Sequence, residues 1–226
     1  KFAMMLANFG TGSQVSLVYP LEKALRLTLP EDIEVRPYLG GCVLLTGSAL
    51  CGGRAYGLWE RFFSEYAAAC GLPDGGQYEV MNKLAQKGME DAENGTPALT
   101  VCTAFCGTRS HPEKRGSVGN IGESNLTPGA VLAGTVMGMA EELFDLYRKM
   151  PGEQITGLSA SGNAVRRNPA LRLALRKVFG KEPTVSKDKE EAARGAALFA
   201  AYVTFPGKIK PFGEQFIKLT GEDKNG

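Results

Sequence analysis

The stretch Phe2-Ala3-Met4-Met5-Leu6-Ala7-Asn8-Phe9-Gly10-Thr11-Gly12-Ser13-Gln14-Val15-Ser16-Leu17-Val18 decides the fold of the chain. Residues 2–9 are an almost continuous apolar run, Gly10-Thr11-Gly12 breaks it, and apolar alternation resumes over 14–18. That pattern predicts two strands joined by a tight glycine turn. Beyond Pro20 and a short polar excursion, residues 33–39 and 42–45 read as further strands, punctuated by Gly40-Gly41 and Gly47. An antiparallel meander is the simplest arrangement of the four.

The period then changes. Leu58, Trp59, Phe62, Phe63, Tyr66 and Cys70 recur at helical spacing until Gly71 and Pro73, which predicts a helix with a buried aromatic face. A second helix over 77–92 places Met81, Leu84, Ala85 and Gly88 on one side and breaks at Asn94-Gly95-Thr96-Pro97. A strand over 98–103 leads into a Gly-, Arg- and Ser-rich loop, 105–122, of the kind that often carries function. Thr127-Pro128 supplies an N-cap and a first-turn proline for a helix faced by Leu132, Val136, Met139, Leu143 and Tyr147, closing at Pro151-Gly152.

A strand over 154–158, a small-residue turn over 159–163, and a helix opened by Asn168-Pro169 follow. Leu171, Leu175 and Val178 face inward on that helix, and Gly180 ends it. A short strand at Thr184 and Val185 precedes Asp188 and Glu191, spaced as a capping box, and a last helix whose Ala192, Gly195, Ala196 and Ala200 suit close packing. Residues 206–226 mix Pro, Gly and charge, leaving Phe212, Phe216 and Ile217 to dock, so a loosely held tail follows a folded unit over 1–205. Strands first, then strands alternating with helices, give an α/β class: a mixed sheet with packed helices.

Composition narrows the function. The 226 residues are 43% hydrophobic and 22% charged, a globular balance. Lys and Arg number 26 against 24 Asp and Glu, a net charge of +2 that gives no electrostatic reason to expect nucleic acid or a membrane as partner. The longest uncharged stretch, 124–140, holds Asn125, Thr127, Pro128 and three glycines, short of the roughly 20 apolar residues that span a bilayer. Five cysteines, an odd number in a chain large enough to bury a core, suggest a reducing, cytoplasmic setting. Cys102 and Cys106, four apart on the expected strand, lack partners for a zinc site in a chain with one histidine, so no metal site is expected. No signal peptide precedes the first strand, and an opening at Lys1 without an initiator Met reads as an internal start.

Gly10-Thr11-Gly12-Ser13 brings backbone N–H groups and two hydroxyls together, a donor set suited to phosphate oxygens, although most glycine turns between strands are only hairpins. It has neither the lysine of a P-loop nor the spacing of a dinucleotide fingerprint. Ser159-Ala160-Ser161-Gly162-Asn163 lies between strand and helix, where backbone donors and a helix N-terminus meet ligands. Asn168 could reach a base; taken alone, it caps the helix that Pro169 begins. His111 stands among Arg109, Lys114 and Arg115 as a loop residue, so Ser-His-Asp or Cys-His chemistry would rest on one poorly placed histidine. The three cations could meet phosphate at a cleft, or simply be solvated.

Several motifs in this order resemble the C-terminal half of FGGY-family carbohydrate kinases: 8–13 (Asn-Phe-Gly-Thr-Gly-Ser), Gly107-Thr108-Arg109 with Pro112, Arg115-Gly116 and Asn120-Ile121, then 161–164 with Arg167-Asn168-Pro169, and 190–197. The resemblance spans roughly 2–202. It implies one lobe of the actin/hexokinase-type (ribonuclease H-like) fold, with ATP and Mg²⁺ in the cleft between lobes and a ketose hydroxyl attacking the γ-phosphoryl group. It assigns Gly10, Thr11, Gly12 and Ser13 to the nucleotide phosphates, Gly162, Asn163 and Asn168 to adenosine, and Arg109 to the cleft. The catalytic general base, the first phosphate motif and most sugar contacts belong upstream of Lys1 in this family. The chain alone is therefore expected to bind nucleotide without turnover, and its uncovered lobe face could self-associate. Two departures stand out: Thr108 where the family has Glu, and Ser159-Ala160-Ser161 where it has a glycine-rich turn. They give some support to a non-catalytic binding or regulatory module derived from a kinase lobe; an actin-like ATPase fits the motifs less well.

Overall fold

The computed structural model describes residues 4–72, 76–151, 155–186 and 190–205. The opening hairpin forms as the glycine turn predicts: β1 (Met4–Phe9) pairs antiparallel with β2 (Ser13–Pro20), Phe9 opposite Ser13. A four-residue helix, α1 (Leu21–Ala24), leads to β3 (Ile33–Pro37) and β4 (Cys42–Ala49). These strands do not continue as a meander. The longer β4 lies against β2, and β3 takes the sheet edge outside it, so the six-stranded order is β3-β4-β2-β1-β7-β8. The reason is length and burial: β4 matches β2 residue for residue from Cys42 to Ala49 and is buried at Val43 and Leu45, whereas β3 is half exposed at Val35.

β7 (Gly157–Ser161) and β8 (Pro183–Val185) join on the other side as parallel strands. β7 begins later than the sequence suggests and takes in Ser159-Ala160-Ser161, which read as a turn. All three are buried, because a central strand has neighbours at both edges and helices above it. Cys102 ends the short β5 (Thr100–Cys102), which pairs with β6 (Ser117–Gly119) out of the polar loop; Cys106 lies beyond the strand.

The long α4 (Pro128–Arg148) is the central helix. Its N-cap is Thr127, whose side chain accepts from the Ala130 N–H at 3.1 Å, and Leu132, Val136, Met139 and Leu143 are all buried. It packs against α2 (Gly52–Ala69), α3 (Tyr78–Glu93), α6 (Pro169–Phe179) and strands β2, β4 and β5. α3 and α4 cross in close contact at Gly88 of α3: a Cβ there would stand 2.2 Å from the Gly129 carbonyl oxygen.

The aromatic stripe of α2 is not buried as a whole. Its inward line runs through Gly52, Ala55, Tyr56 and Ala67, with Trp59 and Phe63 half-buried, which turns Phe62 and Tyr66 out to 59% and 68% exposure. The small residues decide this rotation. A Cβ on Gly52 would meet the Gly12 carbonyl carbon at 2.4 Å, so the face that can approach the β1–β2 turn is the glycine face. α7 (Glu191–Thr204) likewise buries no residue against the described part of the chain, so the close packing expected of its alanines is absent there. The residues Pro73 and Asp188 of the expected stop and capping box, and the expected tail 206–226, lie outside the described residues.

Candidate functional site

The parallel strands β1, β7 and β8 end on the same edge of the sheet, and the C-terminal ends of parallel strands are where α/β sheets hold ligands. A cleft of about 1310 Å³ opens there. Asn8, Gly10 and Thr11 line it from the end of β1, Ser161, Gly162 and Asn163 from the end of β7, and Ser186 from beyond β8. Two turns separated by about 150 positions in the chain thus share one wall, because Asn8 pairs with Ser161 in register.

Glycine makes this junction. Gly162 has φ of +100°, and a Cβ on it would fall 2.2 Å from the Phe9 carbonyl oxygen. It is followed by a short helix not evident from the sequence, α5 (Asn163–Arg167). Across the cleft, the Gly53 N–H donates to the Gly10 carbonyl at 2.9 Å and the Arg54 N–H to the Thr11 carbonyl at 3.1 Å, tying the hairpin turn to the start of α2. A Cβ on Gly53 would stand 2.7 Å from that Gly10 oxygen.

The predicted residues divide. Gly10, Thr11, Gly162, Asn163 and Asn168 line the cleft; Gly12 and Ser13 do not. Gly12 packs beneath the turn, where its Cβ position is 2.9 Å from the Ala49 carbonyl oxygen, and Ser13 is buried in the β2 ladder. Arg109 also stands away from the cleft, ion-paired with Glu34 on the edge strand β3. Its loop folds on itself instead: Gly107 sits at φ of +75°, and the Thr108 hydroxyl accepts from the His111 N–H at 3.0 Å while the Thr108 N–H donates to the His111 carbonyl. Thr108 therefore has a turn-forming part that a glutamate would not reproduce. His111 is exposed, 3.3 Å from Glu113.

Asn168 is 5% exposed, and its Oδ1 accepts from the Ala170 and Leu171 N–H groups at 3.0 and 3.3 Å. It is the N-cap of α6, and its Oδ1 is committed to that cap. Asn168→Ala is expected to destabilise the fold by about 1 kcal/mol through loss of the cap, read as a lower denaturation midpoint. An Asn168→Ala midpoint equal to that of the native chain would contradict the cap.

Several cleft residues were given no role by the sequence. Among the described residues, Arg54, Arg61, Arg166, Arg167 and Arg194 line it with Glu190 and Glu191 as the acids, a cationic excess in a chain of nearly balanced charge. Arg166 pairs with Glu191 at 2.8 Å. Tyr56 and Tyr78 stack with ring centroids 6.4 Å apart, and burial pushes the Tyr56 phenol well above its ordinary pKa. Two buried polar atoms on cleft-lining residues have no hydrogen-bond partner among the described residues: Asn82 Oδ1 and Glu191 Oε1. Unpaired buried groups are rare, and both atoms belong to residues that line the cleft. Asn82 is otherwise fixed, its Nδ2 donating to the Arg167 carbonyl at 3.0 Å. No group of three or more His, Cys, Asp or Glu that could hold a metal occurs among the described residues. No helix among them is long and apolar enough to cross a membrane.

No protein-family model matches the chain, and no curated protein matches it in sequence. Solved structures do. Gluconate kinase from Lactobacillus acidophilus superposes with a TM-score of 0.70 at 16% identity, over 93% of this chain and 40% of its own. Xylulose kinase from Bifidobacterium adolescentis gives 0.65 at 19%, over 90% and 37%. Glycerol kinase from Plasmodium falciparum, solved with ADP, gives 0.66 at 19%, over 96% and 41%. The chain thus spans about two-fifths of the length of the carbohydrate kinases it matches, and at these identities the likeness is one of fold. Its mixed sheet and packed helices are those of an actin/hexokinase-type lobe as found in carbohydrate kinases.

Proposed function

We propose that the chain is the nucleotide-binding lobe of a cytoplasmic, ATP- and Mg²⁺-dependent kinase whose acceptor is a ketose such as sedoheptulose. The observation that carries this reading is that the β1–β2 turn and the β7–α5 turn, assigned from sequence motifs to phosphate and to adenosine, line one cationic cleft. Thr11 and the backbone of Gly10 face the phosphates. Gly162 lets the backbone approach the nucleoside, and Asn163 with Asn168 offers it polar partners. ATP brings the transferable phosphoryl group. Mg²⁺ arrives with the phosphates, since such a site needs only one or two carboxylates besides phosphate oxygens, and Glu190 and Glu191 are the acids at hand.

Phosphoryl transfer also needs a carboxylate to orient and deprotonate the acceptor hydroxyl. In this reading that group lies on a further lobe, so the chain alone holds nucleotide without turnover. The test is coupled detection of ADP release in the presence of sedoheptulose, xylulose, gluconate or glycerol, using this chain and a longer gene product that carries it. Sedoheptulose-dependent release from the longer product alone is expected; release from this chain would refute the lobe assignment, and a longer product active only on gluconate or glycerol would refute the ketose.

One observation favours a second reading, a non-catalytic module that associates with a partner: Phe62 and Tyr66 on α2 and Phe199 and Val203 on α7 are all about half exposed or more. Sedimentation of the chain with and without Mg-ATP separates the two, since the module would associate without binding nucleotide.

A further inference from the structure

The run Gly52-Gly53-Arg54 sets one cation against the turn between β1 and β2. A Cβ on Gly52 would stand 2.4 Å from the Gly12 carbonyl carbon, and one on Gly53 2.7 Å from the Gly10 carbonyl oxygen, so the start of α2 presses on that turn through bare backbone. Two of its first N–H groups are spent there, Gly53 donating to the Gly10 carbonyl and Arg54 to the Thr11 carbonyl at 3.1 Å. Arg54 is the first position of α2 to carry a side chain. It is exposed and lines the cleft together with Gly10 and Thr11.

The guanidinium is not neutralised by an acid. Of the other arginines in the cleft, Arg61 reaches Glu65 at 3.7 Å and Arg166 reaches Glu191 at 2.8 Å. Arg54 has no carboxylate partner among the described residues; its Nη1 donates to the Cys106 sulfur at 3.5 Å, a weak acceptor that leaves the rest of the donor fork open. Its place in the helix does nothing for the fold either. α2 has no acid in its first turn, and a cation there adds to the positive end of the helix dipole. An anion docked at this point is attracted by the guanidinium and offsets that repulsion.

We propose that Arg54 is a positioning residue for the distal phosphates of the nucleotide, its guanidinium donating to β- and γ-phosphoryl oxygens held at the Thr11 turn. The assignment rests on the reading of the cleft as a nucleotide site, and adds which cation meets the phosphate chain and at which end. The turn assigned to adenosine belongs to β7 and α5. Arg54 is tied through its backbone to the hairpin turn and through Nη1 to Cys106 at the base of the polar loop, so its side chain runs along the phosphate end of such a ligand. Its planar fork suits two phosphoryl oxygens at once, which the single ammonium of a lysine does not reproduce.

The full chain and its Arg54→Ala, Arg54→Lys and Arg61→Ala variants are titrated calorimetrically with ATP, ADP and AMP, each with Mg²⁺, beside a thermal melt. Arg61→Ala removes the same charge from the same helix and the same cleft, so it measures the general field. Arg54→Ala is expected to weaken ATP and ADP about 10-fold or more and AMP less than about 3-fold, since a hydrogen bond to a charged group is worth about a decade or more in affinity. Arg54→Lys should recover only part of that loss. Arg61→Ala should change all three by less than about 3-fold, because an exposed charge that makes no direct contact is screened. The melting temperature of Arg54→Ala is expected at or above that of the native chain, which keeps a lost contact distinct from a damaged fold. Equal weakening of ATP, ADP and AMP, or a loss no larger than that of Arg61→Ala, would overturn the assignment while leaving the nucleotide site in place. A native chain that binds none of the three would overturn the nucleotide reading, and this inference with it.

Discussion

Replacing Gly162 by alanine is expected to destabilise the chain by about 3 kcal/mol or more, or to prevent folding. Two terms add. The residue holds φ of +100°, which an L side chain rarely adopts, and its Cβ would lie 2.2 Å from the Phe9 carbonyl oxygen and 2.7 Å from the carbonyl carbon. Those atoms are backbone of a buried central strand and cannot swing aside as a side-chain end could. Relief would require β7 to move away from β1, which also opens the cleft. Gly180→Ala is the comparison. That glycine ends α6 at φ of +64° with nothing within 4 Å, so its cost is conformational alone, about 1 kcal/mol. Urea denaturation of both variants checks the account; a Gly162→Ala midpoint no lower than that of Gly180→Ala would contradict the junction.

Thr11→Ala is expected to weaken binding of Mg-ATP about 10-fold to 100-fold while leaving stability within about 0.5 kcal/mol of the native chain. The hydroxyl is exposed at the cleft and makes no hydrogen bond within the described residues, so its removal costs the fold nothing identifiable. A hydrogen bond to a charged group is worth roughly 1.5–3 kcal/mol, which sets the range. The clean separation of binding from folding makes this position a better probe than Asn168, whose truncation would also uncap α6. Titration calorimetry beside a thermal melt reads both quantities. A fall in melting temperature matching the loss of affinity would assign Thr11 to the fold instead.

What the sequence made legible follows the range of the interactions involved. Thr127-Pro128, Asn168-Pro169 and Gly180 announce helix ends through bonds made within a few residues, and the structure shows all three at those tasks. The β1–β2 hairpin is equally local. The register of β7 is not: Ser159, Ala160 and Ser161 are too small and polar to look like strand, and are held there by β1 on one side and β8 on the other. The exchange of β3 and β4 depends in the same way on which strand can cover β2 over its whole length. For α2, the aromatic spacing gave the helix but not its rotation, which was set by Gly52 and Gly53 packing on the hairpin turn.

The cleft divides along similar lines. Its two glycine turns were readable, because close backbone approach demands glycine in the sequence. Gly12 and Ser13 share that turn yet point into the fold, a distinction of one residue that spacing cannot make. Tyr56, Tyr78 and Asn82 come from helices whose placement is tertiary, and the arginines lining the cleft are scattered over α2, α5 and α7. Arg167 and Arg194 fall within quoted motifs, but nothing local marks them as cleft residues. Arg109 illustrates the converse: a cation in a polar loop beside a family-like motif, engaged by Glu34 on the far edge of the sheet.

The central claim is that this cleft holds a nucleotide, and the most direct test is a calorimetric titration of the chain with Mg-ATP, repeated on Thr11→Ala. Saturable binding of one nucleotide per chain, weakened at least about 10-fold by the substitution, is the predicted result. Absence of saturable heat at millimolar nucleotide, or binding that Thr11→Ala leaves unchanged, would contradict it.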